Sequence, residues 1–274
     1  MKKFVLIMIL IAFSVSITAQ KKEKLKGNKN VIDVFKTLEA FRAIEIGDNL
    51  KVSISQTGGN GYHLTADENL IGDINFEVID SVLKIYTTSK ITSSKKLEVI
   101  LTFKKIDKIT ITDNVKLLSK SKLIFDDFAL SAFDNTSFEL DLNAKNSNFN
   151  VGKNASGKIH LRGETSLMRV NENGYLKGLI SLDELEIIAQ NRSDLNLSGD
   201  VESFQITATH AANIKGESLK TSISKLNFSN KSSIQVYASK SLTIYAKDKS
   251  KINVYGHPEI KIDGLNDKAQ VIKK

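Results

Sequence analysis

Apolar and polar residues alternate along most of this chain, most regularly near its C-terminal end. From Ser232 to Gly256, Ile234, Val236, Leu242, Ile244, Ile252 and Val254 each sit between polar neighbours. A period of two is the pattern of half-buried strands, so the stretch predicts three strands joined by tight polar turns. The segment Ser-Ile-Gln-Val-Tyr at 233–237 returns as Lys-Ile-Asn-Val-Tyr at 251–255, which marks it as part of a repeat.

The repeat runs back to about Asp113. An apolar residue follows a polar turn at Leu140, Ile159, Leu176, Leu195, Ile214, Ile234, Ile252 and Val271, at intervals of 19, 17, 19, 19, 20, 18 and 19. The turns carry Asn135, Asn154, Asn173, Asn191, Asn230, Asp248 and Asp267, most of them in an Asn-x-Ser or Asp-x-Ser frame. A second strand precedes each turn, for example Leu185–Ala189 and Leu242–Tyr245. Each repeat is therefore two short strands and two corners, without a helix.

A fixed period near 20 residues means a solenoid or an array. A leucine-rich repeat would place Asn after its strand, whereas here Asn precedes it. A propeller blade needs about twice the length. A right-handed parallel β-helix, all-β and single-domain with ~19 residues per coil, fits. One coil cannot bury its apolar face alone. Stacked at ~4.8 Å, coils pair their backbone groups and bury a continuous aliphatic column. Residues 41–272 then make about a dozen coils, a rod roughly 55–60 Å long. Asx side chains bond their own backbone and tolerate left-handed φ. Stacked coil on coil, Asn135, Asn154, Asn173, Asn191, Asn230, Asp248 and Asp267 form a structural turn ladder.

The N-terminal third is less regular. Strands are expected at Leu50–Ser55, Tyr62–Ala66, Ile74–Ile79, Val82–Thr87, Leu97–Phe103 and Ile106–Ile111, with a hairpin at Asp80-Ser81. This part is either an antiparallel cap or the irregular first coils of the same solenoid. Val31, Val34, Phe35, Leu38, Phe41 and Ile44 also fall at helical spacing, so 31–40 is open, and a strand is favoured from about Phe41. The expected division is a signal peptide at 1–19, a basic flexible linker at 20–32, and a β-helix domain at 33–274. Within that domain, 33–112 is irregular and 113–274 regular.

The signal reading rests on Lys2 and Lys3, the apolar run Phe4–Phe13 and the small residue Ala19 before Gln20. Its apolar run is shorter than the ~20 residues of a membrane span. It implies an exported protein, in the periplasm or at the cell surface, with no transmembrane span after signal removal. There is no cysteine, so stability comes from packing rather than disulfides. The formal net charge of +8 is concentrated at the N-terminus. Lys2 and Lys3 lie in the signal, and Lys21, Lys22, Lys24, Lys26 and Lys29 face only Glu23 in the linker. The folded part is close to neutral, unlike the basic face of a nucleic-acid binder.

Catalytic chemistry is sparse. The four His, at 63, 160, 210 and 257, have no metal-ligand neighbour at helical or hairpin spacing. His160 lies between inward Ile159 and Leu161 and points outward. Asp126, Asp127, Asp134 and Asp141 form the densest acidic group, and Asp134 is explained by its corner. No catalytic residue, cofactor or metal site is assigned. The candidate ligand-contact surface is aromatic and basic: Tyr237, Tyr245 and Tyr255, outward by alternation, with Lys247, Lys249 and Lys251. Exposed Tyr rings stack on sugars and hold partners through their hydroxyls; stacked Tyr also simply support one another along a ladder.

Several of these segments resemble a known family. Phe41-Arg-Ala-Ile-Glu-Ile, Leu50-Lys-Val-Ser-Ile-Ser-Gln, Val82-Leu-Lys-Ile-Tyr, the turn repeats and the Tyr255-Gly256-x-Pro258 ending are similar to the putative auto-transporter adhesin, head GIN domain family of exported bacterial proteins. The similarity covers 41–272. It implies a single-domain β-helix with no established catalytic residues and a role in adhesion. The family repeats Gly-Ser-Gly at its corners, where this chain keeps the Ser and loses the glycines. Three functions follow as expectations. The first is a non-enzymatic binding module at the bacterial cell envelope, whose partner is a surface glycan or an envelope protein. The second is a polysaccharide-active enzyme on the solenoid face. The third is a periplasmic structural or sensing scaffold.

Overall fold

The computed structural model describes residues 22–274; the expected signal at 1–19 lies outside the described residues. The N-terminal part holds β1 (Lys24–Lys26), β2 (Val31–Thr37), β3 (Ala43–Ile46), β4 (Lys51–Gln56) and β5 (Gly61–Asp67). After a short 3-10 helix (Glu68–Asp73) come β6 (Ile74–Ile79), β7 (Val82–Thr87), β8 (Lys90–Ser93) and β9 (Leu97–Phe103). The repeats hold β10 (Lys108–Ile111), β11 (Lys116–Ser119), β12 (Leu123–Ala132), β13 (Ser137–Val151), β14 (Ser156–Arg162), β15 (Thr165–Val170) and β16 (Tyr175–Ala189). They end with β17 (Asp194–Ala208), β18 (Asn213–Phe228), β19 (Ser233–Ala246), β20 (Lys251–Tyr255), β21 (Glu259–Leu265) and β22 (Gln270–Lys273).

These strands form a β-solenoid of about 9 turns with coils of about 19 residues. The turns are fewer than the dozen expected, and residues 57–79, about one coil's length, leave the column. Strands stack in parallel register, one coil on the next: Leu176 on Leu195, Leu195 on Ile214, Ile214 on Ile234, Ile234 on Ile252 and Ile252 on Val271. The odd interval of 17 between Ile159 and Leu176 disappears in this register. Leu176 stacks on Gly157, which stacks on Phe138, while Ile159 pairs with Gly178. A side chain at Gly157 would strike Phe138, whose ring occupies the space. The first apolar residue after the turn is therefore not the first inward position in that coil.

Each coil is flattened between two faces. The first face carries β4, β11, β14, β20, β22 and the opening halves of β13 and β16–β19. The second carries β3, β10, β15, β21, the end of β12 and the closing halves of the same long strands. The inward residues Ile234, Val236, Leu242, Ile244, Ile252 and Val254 are all buried, as alternation predicts. The first corner is the Asx turn. The second lies inside the long strands, where two successive residues are exposed and the alternation slips by one: Lys145-Asn146, Asp183-Glu184, Glu202-Ser203 and Ser239-Lys240.

The N-terminal part is both of the things expected, coil and cap. β3 lies between β7 and β10, and β4 lies between β9 and β11, all in parallel. The first coil in chain order is thus inserted behind the coil that β7 and β9 complete. Antiparallel strands cover that end: β5 pairs with β9 and β2 with β5. β6 and β7 form the expected hairpin, with Asp80 and Ser81 at φ 50° and 63°. Residues 31–37 are strand rather than helix because the edge of β5 pairs with them along its whole length. The linker expected at 20–32 is also partly ordered. β1 runs parallel to β8, a pairing too short to show as alternation.

One buried carboxylate ties these pieces together. Asp67 accepts the backbone N–H groups of Lys29 (2.9 Å), Lys95 (3.1 Å) and Lys96 (3.1 Å). Gly27 must be glycine at this contact, since a Cβ there would lie 2.0 Å from Asp67 Oδ2. Burial alone would raise the Asp67 pKa, but the N–H donors of Lys95, Lys29 and Lys96 outweigh it and hold the carboxyl below its ordinary range. Asp73 behaves alike: burial opposes, and Thr88 and Ser89 lower its pKa by donating to it.

Candidate binding surfaces

The first corner is a ridge of left-handed residues. Asn135, Asn154, Asn173, Asn191, Asn230, Asp248 and Asp267 all have φ between 52° and 62°. Asx residues tolerate this region because their side chains hydrogen-bond locally. The ridge changes character along its length. Through Asn191-Arg192 each turn has two left-handed residues in succession, and the N–H groups of Asn114, Asn135, Asn154 and Asn173 each donate to a carbonyl of the next coil, as Asn154 does to Glu172. From His210 onward only one residue per turn is left-handed. There, the side chain of the next coil accepts: Asp248 Oδ2 takes the N–H of Asn230 at 2.9 Å, and Asp267 Oδ2 takes that of Asp248 at 3.2 Å. An amide-to-amide rung forms between Asn173 and Asn154, at 3.0 Å. The Ser of Asn-x-Ser points inward where it follows the turn directly: Ser193, Ser232 and Ser250 are buried, and Ser232 Oγ donates to Ser229 O at 2.7 Å.

The aromatic and basic patch expected from sequence is divided by this architecture. Tyr237 and Tyr255 are register partners on the first face, at its second-corner end. Tyr245 lies on the second face, opposite Gly264. Lys247 and Lys249 stand on the first corner, and Lys251 opens β20 beside it. Alternation tells inward from outward, but it does not tell which of two outward faces a residue occupies. Asp126, Asp127, Asp134 and Asp141 are likewise dispersed. Asp134 sits at the first corner with φ 58° and pairs with Lys153, and Asp127 accepts from Asn146. His160 is exposed, as expected.

Tyr237 instead borders a groove at the second corner that sequence reasoning missed. The groove has a volume of about 410 Å³, and Asp183, Asp200, Glu202, Lys220 and Ser239 line it with Tyr237. The corner is held from inside. Thr221, which is buried, donates to Tyr237 O at 2.6 Å, and Ser239 Oγ donates to Thr221 O at 3.1 Å. Gly256, at φ 84°, lets the next coil pass close beneath. A Cβ there would lie 2.3 Å from Ala238 O and 3.3 Å from the Tyr237 ring. Pro258 is buried just after it, in the corner between β20 and β21. The polar doublets of the long strands are the sequence signal that could have located this corner.

A second cluster missed from sequence lies on the cap. His63 Nε2 is 2.6 Å from Asp33 Oδ1, the Phe35 ring stacks on His63 at 4.0 Å, and Phe35 is 70% exposed. Thr65 donates to the same carboxylate oxygen, and with His63 it lowers the Asp33 pKa. This is not a nucleophile–base arrangement, because the Thr65 proton is directed at Asp33 rather than at the imidazole. Among the described residues, no group of three or more His, Asp or Glu is placed to hold a metal ion.

Comparison with known proteins agrees with this architecture. The family model described as putative auto-transporter adhesin, head GIN domain matches residues 40–177 and 168–258. No curated protein matches the chain. Among solved structures, a putative adhesin from Parabacteroides merdae superposes with a TM-score of 0.70 at 18% identity, covering 92% of this chain and 99% of its own. A putative adhesin from Parabacteroides distasonis gives 0.67 at 17% identity, covering 92% and 100%. A protein from the same organism described as a putative lipid binding protein gives 0.67 at 16% identity, with the same coverage. At these identities the likeness is one of fold.

Proposed function

This chain belongs to the putative auto-transporter adhesin, head GIN domain family, and from that premise we propose that it is a non-enzymatic, exported binding module of the bacterial cell envelope. The family name carries export and adhesion. The observation that carries the contact surface is the second-corner groove. The Tyr237 ring offers an apolar face, and Asp183, Asp200, Glu202 and Lys220 offer acceptors and donors around it. Tyr255 extends the aromatic strip to the next coil. Aromatic stacking with peripheral hydrogen bonds is how a rigid surface holds a sugar, with an apolar face on the ring and hydroxyls at the rim. The groove is also preformed, so little ordering entropy opposes binding.

A glycan array compares the wild type with Tyr237→Ala/Tyr255→Ala. The expected result is a bound glycan whose affinity falls about tenfold in the variant, while thermal unfolding stays near that of the wild type. Equal binding by both proteins, or binding to no glycan, overturns the assignment. The carboxylates Asp183, Asp200 and Glu202 on adjacent coils favour a second reading, a polysaccharide-active enzyme. Release of reducing ends or unsaturated sugars from a panel of polymers would establish it; no turnover would leave the binding module.

A further inference from the structure

At the opposite edge from that groove, the C-terminal half of the Asx ridge carries a line of cations. The second position of successive turns is Asn114, Asn135, Asn154 and Asn173, and then Arg192, Ala211, Lys231, Lys249 and Lys268. The change begins at Arg192, itself still left-handed at φ 62°, one turn before the turn geometry changes. Where the second residue must be left-handed, the first four coils supply Asn. From Ala211 onward the second residue is outside that region, and the position accepts a long side chain without strain.

The acids beside this line have another task. Asp248 and Asp267 stand in the first turn position, and each commits an oxygen to a backbone N–H of the preceding coil. Arg192, Lys231, Lys249 and Lys268 are all exposed. Among the described residues, none of the four has a carboxylate partner within ion-pair distance, although Lys153, farther up the same ridge, is paired to Asp134. Lys247 and Lys251 flank the line, so cations outnumber acids along it. Ala211 leaves a shallow depression of about 790 Å³, lined by the cations Lys153, Arg192 and Lys231 and by one carboxylate, Glu172.

We infer that this ridge is a binding site for a linear anionic polysaccharide lying along the solenoid axis. Lys231, Lys249 and Lys268 are one side chain wide and one coil apart, a step of about 4.8 Å. That step is close to the length of one sugar in an extended chain, so a polymer with a carboxylate or sulfate on each sugar meets one cation per residue. Duplex DNA places phosphates at about 3.4 Å along each strand, out of step with the coils. An anionic membrane would call for a broad basic face, and this one is a line. The depression at Ala211 takes the bulk of a sugar ring between Arg192 and Lys231. The site is separate from the tyrosine groove and does not depend on it.

The test measures binding of the full chain to polygalacturonate, with neutral dextran, a single-stranded oligodeoxynucleotide and phosphatidylglycerol vesicles as comparisons. The ridge variant is Lys231→Ser/Lys249→Ser/Lys268→Ser. The charge-matched control is Lys158→Ser/Lys177→Ser/Lys215→Ser, three exposed lysines on the first face. The expected result is that polygalacturonate binds, that the ridge variant loses at least about tenfold in affinity, and that the slope of log affinity against log salt falls by about 2. The control keeps wild-type affinity for this polymer. Equal losses in the ridge and control variants would reduce the effect to net charge and overturn the assignment. Tighter binding of the oligonucleotide or the vesicles, or no binding of polygalacturonate, would overturn it as well.

Discussion

The two ends of the solenoid are built on the same coil and finished in opposite ways. At the N-terminal end β5 lies antiparallel on β9 and β2 on β5, so the edge of the first coil is covered. Leu64, Leu101 and Phe103 there are at most 1% exposed. At the C-terminal end nothing among the described residues follows β21 and β22 in the stack. Their inward-type residues are left open, with Ile262 50% and Leu265 45% exposed. A parallel coil buries its apolar side chains only when it has a neighbour on each side. The cap is therefore worth most to the coil beneath it, and the last coil is held from one side only.

Matched truncations give the largest expected contrast. Leu101→Ala, under the cap, should cost about 2–5 kcal/mol in denaturant unfolding. Ile262→Ala, in the open coil, should cost under about 1 kcal/mol, since most of its burial never formed. Equal costs would show that the two ends are equally packed. Gly256→Ala comes next. It strains a φ of 84° and drives a Cβ into Ala238 O, for a cost of about 1–3 kcal/mol. Because it lies toward the open end, the effect should appear as faster amide exchange in β20–β22 with β5 and β9 unchanged.

The cap's own lock is tested by pH. Asp67 has a lowered pKa when folded, so its stabilisation is present above the unfolded carboxylate pKa of about 3.9 and is lost as pH falls through the lower folded value. Asp67→Asn should therefore lower Tm at pH 7 and accelerate exchange at Lys29, Lys95 and Lys96. The gap from wild type should narrow below pH ~4. A gap that stays constant to pH 2 would mean that the carboxylate charge is not what holds the cap. Asp267→Asn, at the open end, keeps an acceptor for Asp248 N–H and should change Tm least. In wild-type protein, the amides of β21 and β22 should exchange faster than those of β5 and β9, because few buried contacts hold them.

Much of the repeat is legible without coordinates, and particular residues show why. Ile234 and Val254 are inward because polar neighbours flank them, and Asn154 and Asp248 lie at corners because Asx residues accept positive φ. The candidate site was legible only in part. Alternation marks Tyr237 and Tyr255 as outward and equivalent, but it marks Tyr245 as outward too, and Tyr245 and the lysines stand elsewhere. The second corner carries no glycine or proline in most coils, only doublets such as Asp183-Glu184, so nothing conspicuous marks where a long strand turns from one face to the other. Asp67 gave no local signal, since its donors come from residues 38, 28 and 29 positions away.

The period of the coil, the burial of its aliphatic column and the left-handed Asx corners were determined by the sequence, because each depends on residues within one or two coils and on local backbone chemistry. Tertiary structure decided the insertion of β3 and β4 behind β7 and β9, the cap bolted by Asp67, and the separation of Tyr237 and Tyr255 from the lysines onto opposite edges. Those outcomes depend on which strand edge is free to pair and on where a strand bends, and both are settled only when the coils stack.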